Sequence, residues 1–270
     1  MKRKIVFIHG LWLTSLSWQN FEQYFTEKGY DVVAPEWPRK QGDVEEIRRS
    51  ADTVAGLGIT EIADHYDQIV RELESPPIII GHSFGGLMTM ILLDRGLGAA
   101  GVAMDPAPPK GILNLPLRQL KASAPALLHP SARKGVVALS LEQFTYGFVN
   151  TFAPEEARSA YERYAVPDTG RPLFEAAFAN FNPNAPSKVD YSRDRAPLLI
   201  TAGEKDNTVP ASVSRSIHKK QQRSPARTDL IEFEGRPHML MAGPGWEEVA
   251  AGVHGWLESA GLSAESRQPQ

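Results

Sequence analysis

One short motif places a serine between two glycines, Gly81-His82-Ser83-Phe84-Gly85. The apolar run Ile78–Ile80 precedes the motif and the strongly apolar segment Leu87–Leu93 follows it, a pattern that predicts a buried strand, a sharp turn and a buried helix. Such a turn holds a serine hydroxyl clear of a sheet edge, and small flanking residues avoid collisions with its strained backbone. The pattern predicts that Ser83 is a nucleophile. The alternative is a glycine-rich turn whose serine has no chemical role.

A serine hydroxyl is a weak nucleophile until a base removes its proton, and a histidine base needs a carboxylate to hold its tautomer. The predicted acid is Asp206, because the apolar run Leu198–Ala202 leads into the polar turn Gly203–Asp206 just before a predicted helix. A competing interpretation makes Asp206 a helix cap. Asp105, after the preceding strand, and Glu204 are rival acids.

The predicted base is His238, which lies in a short loop rich in glycine and proline directly after the last predicted strand. His82 adjoins the nucleophile and His9 opens the first loop, so we expect both to hold backbone in place. The remaining histidines lie inside helical patterns or away from strand ends, and we expect them to be solvated or packed: His65, His129, His218 and His254.

The negative oxygen of a tetrahedral intermediate needs two aligned N–H donors. Phe84, the residue after the nucleophile, supplies one of them at the positive end of the predicted helix. The second should come from the loop after the first strand, where Gly10 lets the backbone approach closely. We predict Leu11 as this second donor, with Trp12 as the neighbouring alternative.

Short apolar strands alternate with helical patterns near both ends of the chain, which predicts an α/β fold with a mostly parallel sheet flanked by helices. The alternation stops after the strand at Ala99–Met104 and resumes at Pro197–Ala202, with helical patches in between. The predicted organisation is a core made of residues 1–106 and 191–264, a helical cap at residues 107–190, and a disordered polar tail at residues 265–270.

These motifs resemble those of the α/β-hydrolase superfamily over almost the full length of the chain. The resemblance is carried by His9-Gly10, Gly81–Gly86, Gly203–Asp206 and Pro237-His238. The chain is similar to small bacterial esterase-like serine hydrolases with a helical cap. That similarity implies a triad of Ser83, Asp206 and His238, and an oxyanion N–H from Leu11. One departure is expected: the N-terminal β-hairpin common in the family is absent, because Met1 almost begins the His-Gly strand.

Aromatic and apolar residues adjoin the predicted catalytic groups or lie in the predicted cap, and together they predict an enclosed apolar pocket. The predicted substrate-contacting residues are Trp12, Phe144, Phe148, Phe178 and Met239, although any one cap aromatic could instead pack within the cap. The resulting hypothesis is a hydrolase of small to medium apolar carboxylic esters that works through an acyl-enzyme. A lyase, a perhydrolase or an acyltransferase would share the triad, and a slow-turnover ligand-binding receptor is a further alternative.

Composition argues against several other classes. The 270 residues carry a formal net charge of −3 with both signs interspersed, and no basic stripe indicates a nucleic-acid partner. Cysteine is absent, and neither metal-ligand spacing nor a Gly-x-Gly-x-x-Gly pattern occurs, so we expect no metal and no cofactor. No apolar segment approaches ~20 residues, and the start of the chain lacks a signal-peptide pattern, so we expect a cytoplasmic protein without a membrane span. The sequence leaves the oligomeric state open.

Overall fold

The computed structural model describes residues 2–265, which are built around a six-stranded sheet. The strands in these residues are β1 (Lys4–Ile8), β2 (Asp31–Val33), β3 (Ile78–His82), β4 (Ala100–Met104), β5 (Val136–Val137), β6 (Asp168–Thr169), β7 (Leu198–Gly203) and β8 (Thr228–Phe233). The large sheet has the order β2-β1-β3-β4-β7-β8, and every neighbouring pair in it is parallel. The carboxyl ends of all six strands therefore lie at one edge of the sheet.

Helices flank this sheet or lie between β4 and β7. They are α1 (Gln19–Glu27), α2 (Val44–Arg49), α3 (Ile59–Arg71), α4 (Phe84–Asp94), α5 (Leu117–Leu127), α6 (Leu141–Phe148), α7 (Pro154–Tyr164), α8 (Arg171–Ala177), α9 (Ala211–Gln221) and α10 (Trp246–Ser259). Short 3₁₀ helices occupy Ser15–Trp18, Ala51–Val54, Pro130–Arg133 and Ala179–Phe181. The predicted α/β fold with a mostly parallel, helix-flanked sheet is confirmed. Within residues 2–265, every helix is too short or too polar to cross a membrane.

The central strands are apolar because helices cover both faces of the sheet. Every residue of β3 and β4 is buried, as expected for inner parallel strands. Phe7 of β1 stacks on Trp18 at a centroid distance of 4.8 Å and meets Phe21 of α1 edge-on at 6.4 Å. This packing fixes β1, and with it the loop that follows, against the rest of the core.

Residues 107–190, which we call the cap segment, lie within the connection between β4 and β7. They contain α5 to α8, in the region where helical patches were predicted, and also the two-stranded antiparallel sheet formed by β5 and β6. The small sheet was not predicted, because two-residue strands are too short to show a periodic pattern. Of the tail predicted to be disordered, residues 266–270 lie outside the described part of the chain.

Candidate active site

Ser83 lies at the turn between β3 and α4, at the carboxyl edge of the sheet. Its backbone has φ 56° and ψ −117°, a conformation that costs energy for a residue with a side chain. Space requires glycine on both sides: a Cβ on Gly81 would lie 2.0 Å from the Gly85 carbonyl oxygen, and one on Gly85 would lie 2.0 Å from the Ile8 carbonyl oxygen. The Ser83 N–H donates to the Met104 carbonyl at 2.8 Å, which ties the turn to β4.

An acid and a histidine meet in the loops that follow β7 and β8. His238 Nδ1 lies 2.6 Å from Asp206 Oδ2, and both side chains are completely buried. An ionised carboxylate only accepts hydrogen bonds, so Nδ1 carries the proton and Nε2 is left as the basic nitrogen. Asp206 Oδ1 accepts from the N–H groups of Thr208 at 2.6 Å and Val209 at 2.8 Å. One carboxylate oxygen thus braces the loop before α9 while the other holds the imidazole.

His82 connects the serine turn to the histidine loop. Its ring lies 4.5 Å from the His238 ring, centroid to centroid, and its Nε2 donates to the His238 carbonyl at 2.8 Å. Burial, the charge of His238 and the charge of His9 lower the pKa of His82 well below its usual range, although the bond to the carbonyl raises it. Within residues 2–265, no hydrogen bond joins Ser83 Oγ to His238 Nε2, which is buried without a partner. Catalytic hydrogen bonds are often long until substrate binds.

Asp105, the rival acid, is buried beside the predicted one. Its Oδ1 accepts from the Gly203 N–H at 2.7 Å, and its Oδ2 finds no partner within the described residues. Burial and the Asp206 carboxylate raise the pKa of Asp105 well above its usual range, although the Gly203 N–H lowers it. These surroundings therefore favour the protonated form of Asp105 more than water would. The other rival, Glu204, is exposed and accepts from the Gly235 N–H at 2.9 Å.

The loop after β1 is anchored by a buried ion pair that includes a residue of the cap segment. The Trp12 N–H donates to Asp168 Oδ2 at 2.9 Å, and Lys40 Nζ lies 2.7 Å from the same oxygen. Lys40 Nζ also donates to the Leu13 carbonyl at 2.8 Å. Trp12 has φ 64°, a left-handed conformation that needs such support in a residue with a side chain. The pair therefore fixes the backbone on the carboxyl side of Leu11.

This anchoring bears on the predicted oxyanion donors. The alternative donor Trp12 is engaged by Asp168, whereas the Leu11 N–H has no acceptor within residues 2–265. Phe84 is the first residue of α4, a position whose N–H has no intrahelical partner. Sequence reasoning missed Asp168 and Lys40, and no local signal could have joined two residues that lie 128 positions apart.

His9 supports the same loop from its other side. Its Nδ1 lies 2.8 Å from the Gly10 carbonyl oxygen, its Nε2 lies 3.0 Å from Glu36 Oε2, and its ring stacks on Trp37 at 5.1 Å. Burial alone would raise the pKa of the Glu36 carboxyl. The charge of His9 and hydrogen bonds from His9 and Ser15 outweigh this effect and lower the pKa to about 2. His9 therefore lies in a polar contact network under the loop.

A cavity of about 320 Å³ opens beside Ser83 and Phe84. Its other walls are mostly apolar residues of the cap segment together with the loop before α9, and they include Ala107, Ile112, Leu113, Leu115, Leu120, Leu127, Leu173, Ala176, Phe181 and Val209. Gln119 is a buried polar residue in this wall, and its amide oxygen has no partner within the described residues. A larger groove of about 770 Å³, lined by Lys2, Lys4 and Asp31, lies at the opposite edge of the sheet and is remote from Ser83.

The five residues predicted to contact substrate do not line the cavity beside Ser83. Trp12, Phe144, Phe148 and Met239 are buried around the predicted base instead. The Phe148 ring lies 5.1 Å from the imidazole, stacks on Phe144 at 4.8 Å and meets Trp12 edge-on at 6.2 Å. Phe178 is 59% exposed, because its position at the end of α8 turns it toward solvent.

One group among the described residues could offer metal ligands: His82, Asp105 and His238 place one ligand atom each within 4.8 Å of the others. Each of the three already forms a hydrogen bond at the site, to the His238 carbonyl, the Gly203 N–H and Asp206 respectively. These hydrogen bonds give each of the three residues a role that needs no metal ion. The expected absence of a metal stays a prediction.

The sequence matches the model of the alpha/beta hydrolase family over residues 5–251. No curated protein matches it. Solved structures resemble it closely in fold. A monoacylglycerol lipase from Paleococcus ferrophilus has a TM-score of 0.66 and 20% identity, with 95% of this chain and 94% of that one covered. A methylesterase from Arabidopsis has a TM-score of 0.64 and 13% identity, covering 96% and 99%.

A third similar structure is an extracellular alpha/beta-hydrolase from a Paenibacillus species. It has a TM-score of 0.63 and 20% identity, and the match covers 98% of this chain and 100% of that one. At identities of 13–20%, these likenesses show the fold alone.

Proposed function

The chain belongs to the alpha/beta hydrolase family, and on that premise we propose that it is a serine hydrolase of small to medium apolar carboxylic esters. The observation that carries the proposal is the 2.6 Å contact between His238 Nδ1 and Asp206 Oδ2 beside the strained Ser83 turn. That contact fixes the imidazole tautomer in which Nε2 can accept a proton. A glycine-rich turn with a bland serine would not need a buried acid–histidine pair next to it.

In the proposed mechanism, Ser83 Oγ attacks the ester carbonyl carbon while His238 Nε2 takes the hydroxyl proton. Asp206 keeps the imidazolium oriented and stabilises its charge. The oxyanion of the tetrahedral intermediate accepts hydrogen bonds from the Leu11 and Phe84 N–H groups, each such donor being worth about 3 kcal/mol in the transition state. The intermediate collapses, the alcohol leaves with the proton from Nε2, and water activated by the same nitrogen hydrolyses the acyl-enzyme.

The substrate class follows from the cavity beside Ser83. Its volume of about 320 Å³ lies at the lower end of ligand pockets, which run from about 300 to 1,000 Å³. Its wall contains no charged side chain within the described residues, so an uncharged acyl or alkyl group fits it better than a charged one. The names of two structural relatives, a lipase and a methylesterase, denote ester cleavage and support the same class.

We further infer that the cap segment covers a core made of residues 1–106 and 191–264. Support comes from the position of α5 to α8 between β4 and β7, and from the share of the cavity wall that the cap segment supplies. The cytoplasmic location and the absence of a cofactor stay predictions.

Hydrolysis of a series of p-nitrophenyl esters tests the function. The wild-type protein should release p-nitrophenolate over many turnovers, with kcat/KM highest for short to medium acyl chains, and Ser83→Ala should lose at least about 10³-fold. Gly255→Ala is the matched control, since a Cβ there meets open space. Absence of turnover across the whole series would overturn the proposal, and so would equal rates in wild type and Ser83→Ala.

A further inference from the structure

The cap segment carries an unusual concentration of exposed apolar side chains. Among residues 2–265, all of the large hydrophobic side chains that are exposed lie in two short stretches, 113–128 and 178–181. We call them the apolar rim: Leu113, Leu115, Leu117, Leu120, Leu128, Phe178 and Phe181, with exposures from 40% to 85%. Scattered exposed leucines are ordinary, but a contiguous exposed apolar patch marks a site of contact with another phase or molecule.

The apolar rim is continuous with the cavity beside Ser83. Four of its members, Leu113, Leu115, Leu120 and Phe181, also line that cavity. A surface that covered the rim would therefore face the cavity opening directly. An apolar molecule could pass from such a surface into the cavity without crossing water.

The charges that neighbour the first stretch of the rim, residues 113–128, in the sequence have one sign. No aspartate or glutamate occurs between Asp105 and Glu142, whereas this stretch contains Lys110, Arg118, Lys121, Arg133 and Lys134. The last four are exposed. The chain as a whole has a formal net charge of −3. The five cations therefore make the sequence beside the rim locally positive.

We propose that the apolar rim and its flanking cations dock the protein onto an anionic lipid surface, with the cavity opening toward the lipid. α5 fits this role, because Leu117 and Leu120 lie one turn apart while Arg118 and Lys121 follow them directly. A second copy of the chain fits the rim less well, since it would bring two like-charged segments together. The docking is peripheral and requires no membrane span.

Co-sedimentation of the full-length protein with vesicles tests the proposal. Vesicles of phosphatidylcholine with 30% phosphatidylserine should bind the protein at least about tenfold more tightly than pure phosphatidylcholine, and binding should weaken as salt is raised, since basic residues near an anionic surface supply part of the attraction. Leu117→Gln/Leu128→Gln, which leaves the cavity wall intact, should weaken binding by about tenfold or more. Arg133→Glu/Lys134→Glu should do the same.

Two controls keep the result clear. Lys2→Glu/Lys28→Glu makes the same charge change at the opposite edge of the sheet and should bind vesicles like wild type. Ser83→Ala should also bind like wild type, so a failure of docking is separate from a failure of ester hydrolysis. Lack of vesicle binding by the wild type would overturn the proposal, as would a lipid-free dimer that forms through the rim and is abolished by Leu117→Gln/Leu128→Gln. Equal binding to neutral and anionic vesicles would overturn the role of the cations.

Discussion

Replacing Asp206 with asparagine should abolish most of the activity while keeping the shape of the site. In the native protein, Asp206 Oδ1 accepts from two backbone N–H groups and Oδ2 accepts from His238 Nδ1. In Asp206→Asn the amide oxygen must stay with the two N–H donors, so the NH₂ group faces Nδ1. A donor at that position stabilises the tautomer that carries its proton on Nε2, and this tautomer cannot accept the Ser83 proton.

The size of the effect follows from the cost of turning the amide around. The flipped amide would aim its NH₂ group at two backbone N–H donors and leave both unsatisfied, at about 1–3 kcal/mol each, or about 2–6 kcal/mol together. Since about 1.4 kcal/mol corresponds to a factor of ten, the productive arrangement is populated at about 1 part in 30 to 1 in 20,000. The upper end agrees with the roughly 10⁴-fold loss known for the equivalent change in a serine protease triad.

The assay is kcat for a p-nitrophenyl ester, with Asp105→Asn as the matched control. Asp105→Asn replaces an acid whose pKa is raised by burial, and its Oδ1 can keep accepting from Gly203, so its kcat should change by less than about tenfold. A value for Asp206→Asn within threefold of wild type would refute the reasoning. A larger loss in Asp105→Asn than in Asp206→Asn would move the acid to Asp105.

Asp105→Asn should also stabilise the fold, because the raised pKa means that the native state holds a proton which the unfolded chain releases above about pH 4; the gain in melting temperature should grow as pH rises from about 4 toward the raised native pKa and then level off, and a gain that shrinks would contradict this sign. Asp168→Asn should lower the free energy of unfolding by about 3–5 kcal/mol and reduce kcat, since it leaves a buried lysine unpaired and loosens the loop after β1. Urea titration should find Asp52→Asn, at an exposed site, within about 0.5 kcal/mol of wild type, and equal stabilities for the two variants would disprove the anchor. Gly85→Ala should fail to reach the native fold, because its Cβ would lie 2.0 Å from a carbonyl oxygen of β1, whereas Gly255→Ala should melt like wild type; circular dichroism distinguishes these outcomes.

Several features of the site could be predicted from sequence because each has a local cause. Only small neighbours allow the turn at Ser83, and they are visible in the motif. Asp206 and His238 each follow a strand of the sheet, and parallel strands end at one edge, so their side chains are brought to the same place. The sequence therefore predicts the contact between them.

Other features depend on long-range packing that leaves no local pattern. Lys40 lies in a charged, irregular stretch that is typical of a solvated surface, yet its side chain is fully buried against Asp168. The aromatic residues of the cap segment suggested the pocket wall, but Phe148 packs against the imidazole and Phe144 stacks on Phe148. The cavity is lined instead by leucines such as Leu113 and Leu115, whose spacing shows no amphipathic period.

Covalent labelling with a p-nitrophenyl alkylphosphonate tests the proposed nucleophile most directly, because a nucleophilic serine attacks this reagent as it would an ester. We expect release of one equivalent of p-nitrophenolate, one phosphonyl group per chain by intact mass, and a peptide map that places this group on Ser83, with no label on Ser83→Ala. A label on another residue, or ester turnover that persists in a chain the phosphonate leaves unmodified, would contradict the claim that Ser83 is the nucleophile.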